Sequence, residues 1–138
     1  MLVYSDTIAS LDCHVFYVFA EQKLVRGKYV VSVSHTNKTD YLDDYRKLLS
    51  SVADKYGEPK EEKSAWKNNL YKNDPQEWGM AVAVGHLVKM ARWETPRSEI
   101  YLMLKGDNFD ITLALEYASK ELQALEEGAK KQDDSEKF

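Results

Sequence analysis

From His86 to Tyr117 the chain alternates with a period of two through three consecutive segments, and nothing else in it constrains the fold as strongly. Leu87, Lys89, Ala91 and Trp93 interleave with Val88, Met90, Arg92 and Glu94. After Pro96 the alternation resumes at Ile100, Leu102 and Leu104, turns at Gly106-Asp107-Asn108, and returns through Phe109, Ile111, Leu113, Leu115 and Tyr117. Three such segments in succession predict an antiparallel sheet with one buried face. The residues left for the other face, Thr112, Glu116 and Lys105 among them, share no chemical theme. The fold is specified clearly and the chemistry hardly at all.

Residues 2–34 read as a second meander. Leu2, Val3 and Tyr4 open it and Ile8 closes its first strand before a tight turn near Ala9-Ser10. Leu11, Cys13, Val15, Tyr17 and Phe19 share one face of the next strand, with Phe16 and Val18 on the other. Glu21-Gln22 turns the chain into a third strand lined by Val25, Tyr29, Val31 and Val33.

From Asp40 the period becomes helical. Tyr41, Leu42, Tyr45, Leu48, Leu49, Val52, Ala53 and Tyr56 fall on one stripe, predicting a helix over 41–56. Thr39 or Asp40 is the expected cap, Asp43 and Asp44 suit the positive end of the dipole, and Gly57 with Pro59 ends the helix. A short strand is expected around Ala65, Trp66 and Leu70. Asp74-Pro75-Gln76-Glu77 then carries a helix-start signature, giving a helix over 75–84 stopped by Gly85; a strand through Met80–Val84 is the rival. Ser119 caps a last helix carrying Leu122, Leu125 and Ala129. The order β-β-β-α-β-α-β-β-β-α predicts an α+β fold, about six to seven antiparallel strands with helices on one face. One domain spans 1–131, followed by a charged tail over 132–138.

At 138 residues, 43% of them hydrophobic, the chain can bury a core without staples. A net charge of −4, with lysines dispersed among acids, argues against nucleic acid as a partner. No apolar run approaches the ~20 residues of a membrane span. The N-terminus lacks the basic start and apolar core of a signal peptide, which makes the cytoplasm the default location if Met1 is the native start. Cys13 is the single cysteine, so neither an internal disulfide nor a cysteine metal site is expected. His14, His35 and His86 have no metal-ligand spacing, and no metal or other cofactor is expected.

No serine sits on a Gly-x-Ser-x-Gly elbow, and Gly79 and Gly85 make no phosphate loop. The adjacent acids Asp43-Asp44, Glu61-Glu62, Glu126-Glu127 and Asp133-Asp134 read as solvated faces rather than catalytic pairs. Aromatic residues are the better candidates. Trp66, Asn68, Asn69, Tyr71 and Trp78, with His86 and Trp93, lie in or beside a polar loop over 67–79. Folded over the sheet, these rings and amides would line a groove for a protein or a small polar ligand. The competing reading is that the tryptophans plug a core between helix and sheet, the commoner fate of large aromatics.

The segments Tyr56-Gly57-Glu58-Pro59, Trp66 to Asp74, Trp78-Gly79, Gly85-His86-Leu87 and Trp93-Glu94-Thr95 resemble a group of uncharacterised bacterial proteins, mostly of clostridial and related types. Tyr17-Val18-Phe19, Lys23-Leu24-Val25, His35-Thr36-Asn37-Lys38 and Asp40-Tyr41 extend the resemblance over nearly the whole chain. It implies no activity and no site residues. It does imply an upstream segment with a Trp-Gly-Met helix start that this chain lacks. The layout is also similar, at the level of fold alone, to helix-plus-sheet modules of outer-membrane assembly lipoproteins and of β-lactamase inhibitor protein. The leading expectation is a non-catalytic interaction or ligand-binding module. The alternatives are a small hydrolase-like enzyme with a site near loop 67–79 and His86, and a structural accessory domain of a bacterial envelope protein. Apolar residues on both faces of the opening meander, with its first strand at a sheet edge, predict a homodimer through residues 1–34.

Overall fold

The structure, a computed structural model, describes residues 2–8, 11–20, 23–32 and 34–120; the side chains of 2–7, 18, 20 and 23–25 lie outside that description. In chain order it contains β1 (Leu2–Ile8), β2 (Leu11–Ala20), β3 (Lys23–Val31), α1 (Thr39–Tyr56) and β4 (Glu61–Trp66). A 3-10 turn (Pro75–Glu77) then leads into α2 (Trp78–Ala83), followed by β5 (Leu87–Glu94), β6 (Ser98–Asp107) and β7 (Asp110–Ser119). The strands form one seven-stranded antiparallel sheet ordered β1-β2-β3-β7-β6-β5-β4. Pairing of β3 with β7 joins the two meanders, so the fold is α+β. The predicted last helix and the tail lie outside the described residues.

Alternation becomes a core because the register holds across the sheet. Val15, Tyr29, Leu115, Leu102 and Ala91 stand opposite one another over five strands. Leu87, Trp93, Ile100, Leu104 and Leu113 are buried on the same face, which also receives Leu42, Tyr45, Leu48 and Val52 of α1. Burial of each such aliphatic side chain stabilises by about 1.5–3 kcal/mol. Trp93 is 2% exposed and its indole Nε1 donates to the Gly57 carbonyl at 2.8 Å. That bond ties the C-terminal end of α1 to β5. Gly57 has a φ of 86°, the left-handed stop its sequence position implies.

Several local expectations are corrected. Thr39 is the first residue of α1 rather than its cap, and Asp40 follows it inside the helix; Lys38 precedes with no side-chain cap. The Asn37 side chain instead accepts from the Thr39 N–H at 3.0 Å. Asp74 caps nothing with its side chain, and the predicted helix over 75–84 begins as a 3-10 turn closed by Glu77 N–H donating to Asp74 O at 2.9 Å. The rival strand over 80–84 is absent, since α2 occupies those positions. Leu70 lies beyond the end of β4 and is 70% exposed in a turn. Phe19 is 45% exposed near the end of β2, beyond the register shift between Val18 and Phe19. Val18, invoked for the homodimer, has its side chain outside the described residues, while Phe16 is half-buried opposite Lys28.

Phe109 is not a strand residue. Asp107 pairs with Asp110, leaving Asn108 and Phe109 as a two-residue hairpin turn with φ of 51° and 68°. Such turns require both central residues to be left-handed, which a bulky side chain resists. The conformation is held because Phe109 N–H donates to Ala83 O at 2.9 Å, satisfying a carbonyl at the end of α2.

Leu48 is 1% exposed and Leu49 only partly buried. Leu48→Ala is expected to lower unfolding stability in urea by ~2–5 kcal/mol. Leu49→Ala should cost clearly less; equal losses would mean that α1 is rotated on the sheet.

Candidate functional site

The rings beside loop 67–79 separate into two groups. Trp66 ends β4 opposite Leu87, and Trp78 opens α2; their rings meet edge-to-face with centroids 5.8 Å apart at 64°. Both are half-buried. Tyr71 stacks on His86 at 5.7 Å with planes 27° apart. Trp93 belongs to the core and is not part of this surface, so its place among the binding candidates is corrected. Its position on the inner face of β5 and its hydrogen bond to Gly57 give it a packing role.

Loop 67–79 is ordered by its own backbone. Lys67 N–H donates to His86 O at 2.7 Å, continuing the pairing of β4 with β5. Asn68 is engaged in a local turn, its side-chain oxygen accepting from Leu70 N–H at 3.0 Å. Asn69 is exposed, and its carbonyl accepts from Lys72 N–H at 3.2 Å. The Trp78 indole N–H reaches back to Lys72 O at 3.2 Å, closing the loop over α2. The Asn68 amide is thus a structural element, while the tryptophan edges and Asn69 remain at the surface.

The sequence reading missed Lys89, although its inward parity in β5 was visible. Its Nζ lies 5.8 Å from the ring centroids of both Tyr45 and Trp78. Burial first, and then Arg46, pulls its pKa below the ordinary lysine value; Glu62 opposes that shift. Tyr45 beneath it is 1% exposed, with its hydroxyl buried and unpartnered, and burial pushes that hydroxyl well above the ordinary tyrosine value. The neighbourhood is aromatic, with Lys89 lying over the rings of Tyr45 and Trp78 and Arg46 and Glu62 as nearby charges.

The histidines do not converge. His14 is exposed. His35 Nε2 lies 2.6 Å from the buried Asp44 carboxylate, its ring edges against Tyr41 at 5.0 Å, and its N–H donates to the Tyr41 hydroxyl at 3.0 Å. This satisfied pair fastens the chain entering α1. His86 Nδ1 is buried without a partner, and no carboxylate bonds its ring among the described residues. No cluster of three or more metal-ligating side chains occurs among the described residues. A recess of about 530 Å³ is lined by Lys67, Val88, Lys105, Asp107, Asp110 and Thr112 with the Gly85 and Gly106 backbone, and not by His86.

No helix of the described residues is long and apolar enough to cross a membrane. No protein-family model matches the chain, and neither a curated protein nor a solved structure does.

Glu94 marks the electrostatic tie at the opposite end of β5. Lys120 and Lys60 both donate to it and draw its pKa from 4.5 down to about 2. A carboxylate whose folded pKa is depressed adds stability above pH 4.5, and that contribution is lost as pH falls toward 2. Glu94→Gln should therefore narrow the difference in urea midpoint between pH 5 and pH 2.5, modestly because solvent screens the group. An unchanged difference would show that the two lysines do not hold Glu94 in solution.

Proposed function

We propose that the protein is a non-catalytic binding module whose recognition surface is the Trp66–Trp78 edge with Asn69, Tyr71, His86 and Lys89 around it, taking a protein or a small polar ligand. The observation that carries this reading is the half-buried edge-to-face tryptophan pair beside a lysine without a hydrogen-bonding partner among the described residues. A hydrolase-like site would need His86 oriented by a carboxylate within hydrogen-bond reach. His86 is instead stacked on Tyr71 with Nδ1 unbonded, which supports binding over catalysis. Aromatic anchors at a surface supply most of the energy in recognition sites, with polar neighbours fixing orientation.

The test uses the three tryptophan indole signals in two-dimensional NMR, assigned by single Trp→Phe variants. Titration with a fragment set of aromatic acids, amides and amines is expected to move the Trp66 and Trp78 signals and leave Trp93 in place. Fragments that move only residues elsewhere, or an ester-hydrolysis activity abolished by His86→Ala, would replace this reading with another.

The proposal extends to self-association through residues 1–34. Among the described residues β1 is the edge strand of the sheet, and Phe16 stands half-buried on the face away from the helices. Sedimentation equilibrium should return a dimer that Phe16→Glu weakens. A monomer at every concentration removes the interface from the proposal.

A further inference from the structure

Two hydrogen-bond donors beside the tryptophan pair have no acceptor. Lys89 stands on the helix side of the sheet between Ser64 of β4 and Leu104 of β6. No hydrogen bond or ion pair reaches its Nζ among the described residues, and rings of Tyr45 and Trp78 flank it. The Tyr45 hydroxyl is the second donor, on a side chain 1% exposed and with no partner. The contact of Lys89 Nζ with the Tyr45 ring, 5.8 Å from its centroid, places ammonium and phenol side by side, and among the described residues Glu62 on the neighbouring strand bonds to neither. A buried donor such as the Tyr45 hydroxyl is rarely left unmatched, whereas Lys89 is only partly buried.

Resting on the binding reading above, we propose that Lys89 and Tyr45 are the polar anchor of the surface and take the carboxylate of a ligand whose aromatic or apolar body lies against Trp78 and Trp66. A carboxylate presents two acceptor oxygens in one plane, matching one ammonium and one hydroxyl donor. A single negative charge also suits the local field. Lys89 and Arg46 supply positive charge near the site, and Glu62 is the nearby acid. Engagement of the buried hydroxyl requires Lys89, whose Nζ lies over the Tyr45 ring, to shift on its flexible stem.

The probes are phenylacetate and phenylacetamide, which share a ring and differ in charge. Binding is followed by the Trp66 and Trp78 indole signals and by calorimetry. Phenylacetate is expected to bind about tenfold more tightly than the amide, the usual worth of a charge-assisted hydrogen bond. Lys89→Met should bring the two affinities together and Lys89→Arg should keep them apart; Lys89→Gln replaces the methionine variant if the latter loses its fold. Tyr45→Phe, which removes a hydroxyl with no partner, should leave the fold intact and weaken phenylacetate about fivefold. Equal binding of both probes at the tryptophan pair would overturn the carboxylate anchor and leave the binding surface standing. An undiminished affinity in Tyr45→Phe would overturn the two-donor arrangement. If neither probe moves Trp66 or Trp78, the binding reading itself falls.

Discussion

The structure turns on how closely the backbone of α2 approaches its neighbours. A Cβ on Gly106 would lie 2.3 Å from the Val82 carbonyl oxygen, and one on Gly79 would lie 2.5 Å from the Lys38 carbonyl carbon. Neither position tolerates any side chain, since both obstacles are backbone. Between these two glycine contacts α2 is pressed against β6 on one side and the start of α1 on the other. Ala81, Val82 and Ala83 consequently reach 0% exposure in a helix of only six residues. So short a helix is not stable by itself, and its persistence comes from this packing. The Phe109 N–H that closes its end belongs to the same arrangement: the hairpin is bent into a left-handed turn where it meets α2.

From that contact the candidate site follows by geometry. With α2 fixed, Trp78 at its first position projects toward β4 and β5, where register has already placed Trp66 and Lys89. The indole bond to Lys72 O then holds the loop in place. The site is consequently built on regular elements, with the loop acting as its retaining band. Rigid support of this kind lowers the entropy lost when a ligand is bound.

Much of this was legible in residue order, and the exceptions are physically instructive. The alternation of Leu87 to Trp93, of Ile100 to Leu104 and of Leu113 to Leu115, and the stripe from Leu42 to Val52, are each generated by one burial face, so period alone reveals them. Gly57 and Gly85, with φ of 86° and 83°, were equally readable as helix stops. Phe109 was misplaced because turn length depends on the pairing of Asp107 with Asp110, which no local pattern encodes. The tryptophans could not be sorted by composition. Trp93 has inward strand parity and belongs to the core, whereas Trp66 shares that parity but sits on the edge strand β4, beyond the cover of α1. Sheet order decides between them, and sheet order is a long-range property. The glycine contacts at Gly79 and Gly106 were invisible for the same reason.

Polar groups on the helix side of the sheet make the sharpest contrast. Asp44 is 8% exposed and carries a charge into the core margin, yet His35 meets its carboxylate at 2.6 Å and Tyr41 completes the cluster. Such a pair is internally matched and needs nothing from outside the chain. Lys89 is less deeply buried, with aromatic faces for neighbours and no acceptor among the described residues. Partial burial, and after it the charge of Arg46, disfavour the ammonium and draw its pKa down. A hydrophobic residue at position 89 would continue the inner row of Leu87, Ala91 and Trp93 without that cost. The proposed anionic ligand would give the Lys89 charge a partner that the described residues do not supply. The Tyr45 hydroxyl beneath Lys89 is a buried donor left unmatched among the described residues, in contrast to the satisfied pair beside α1.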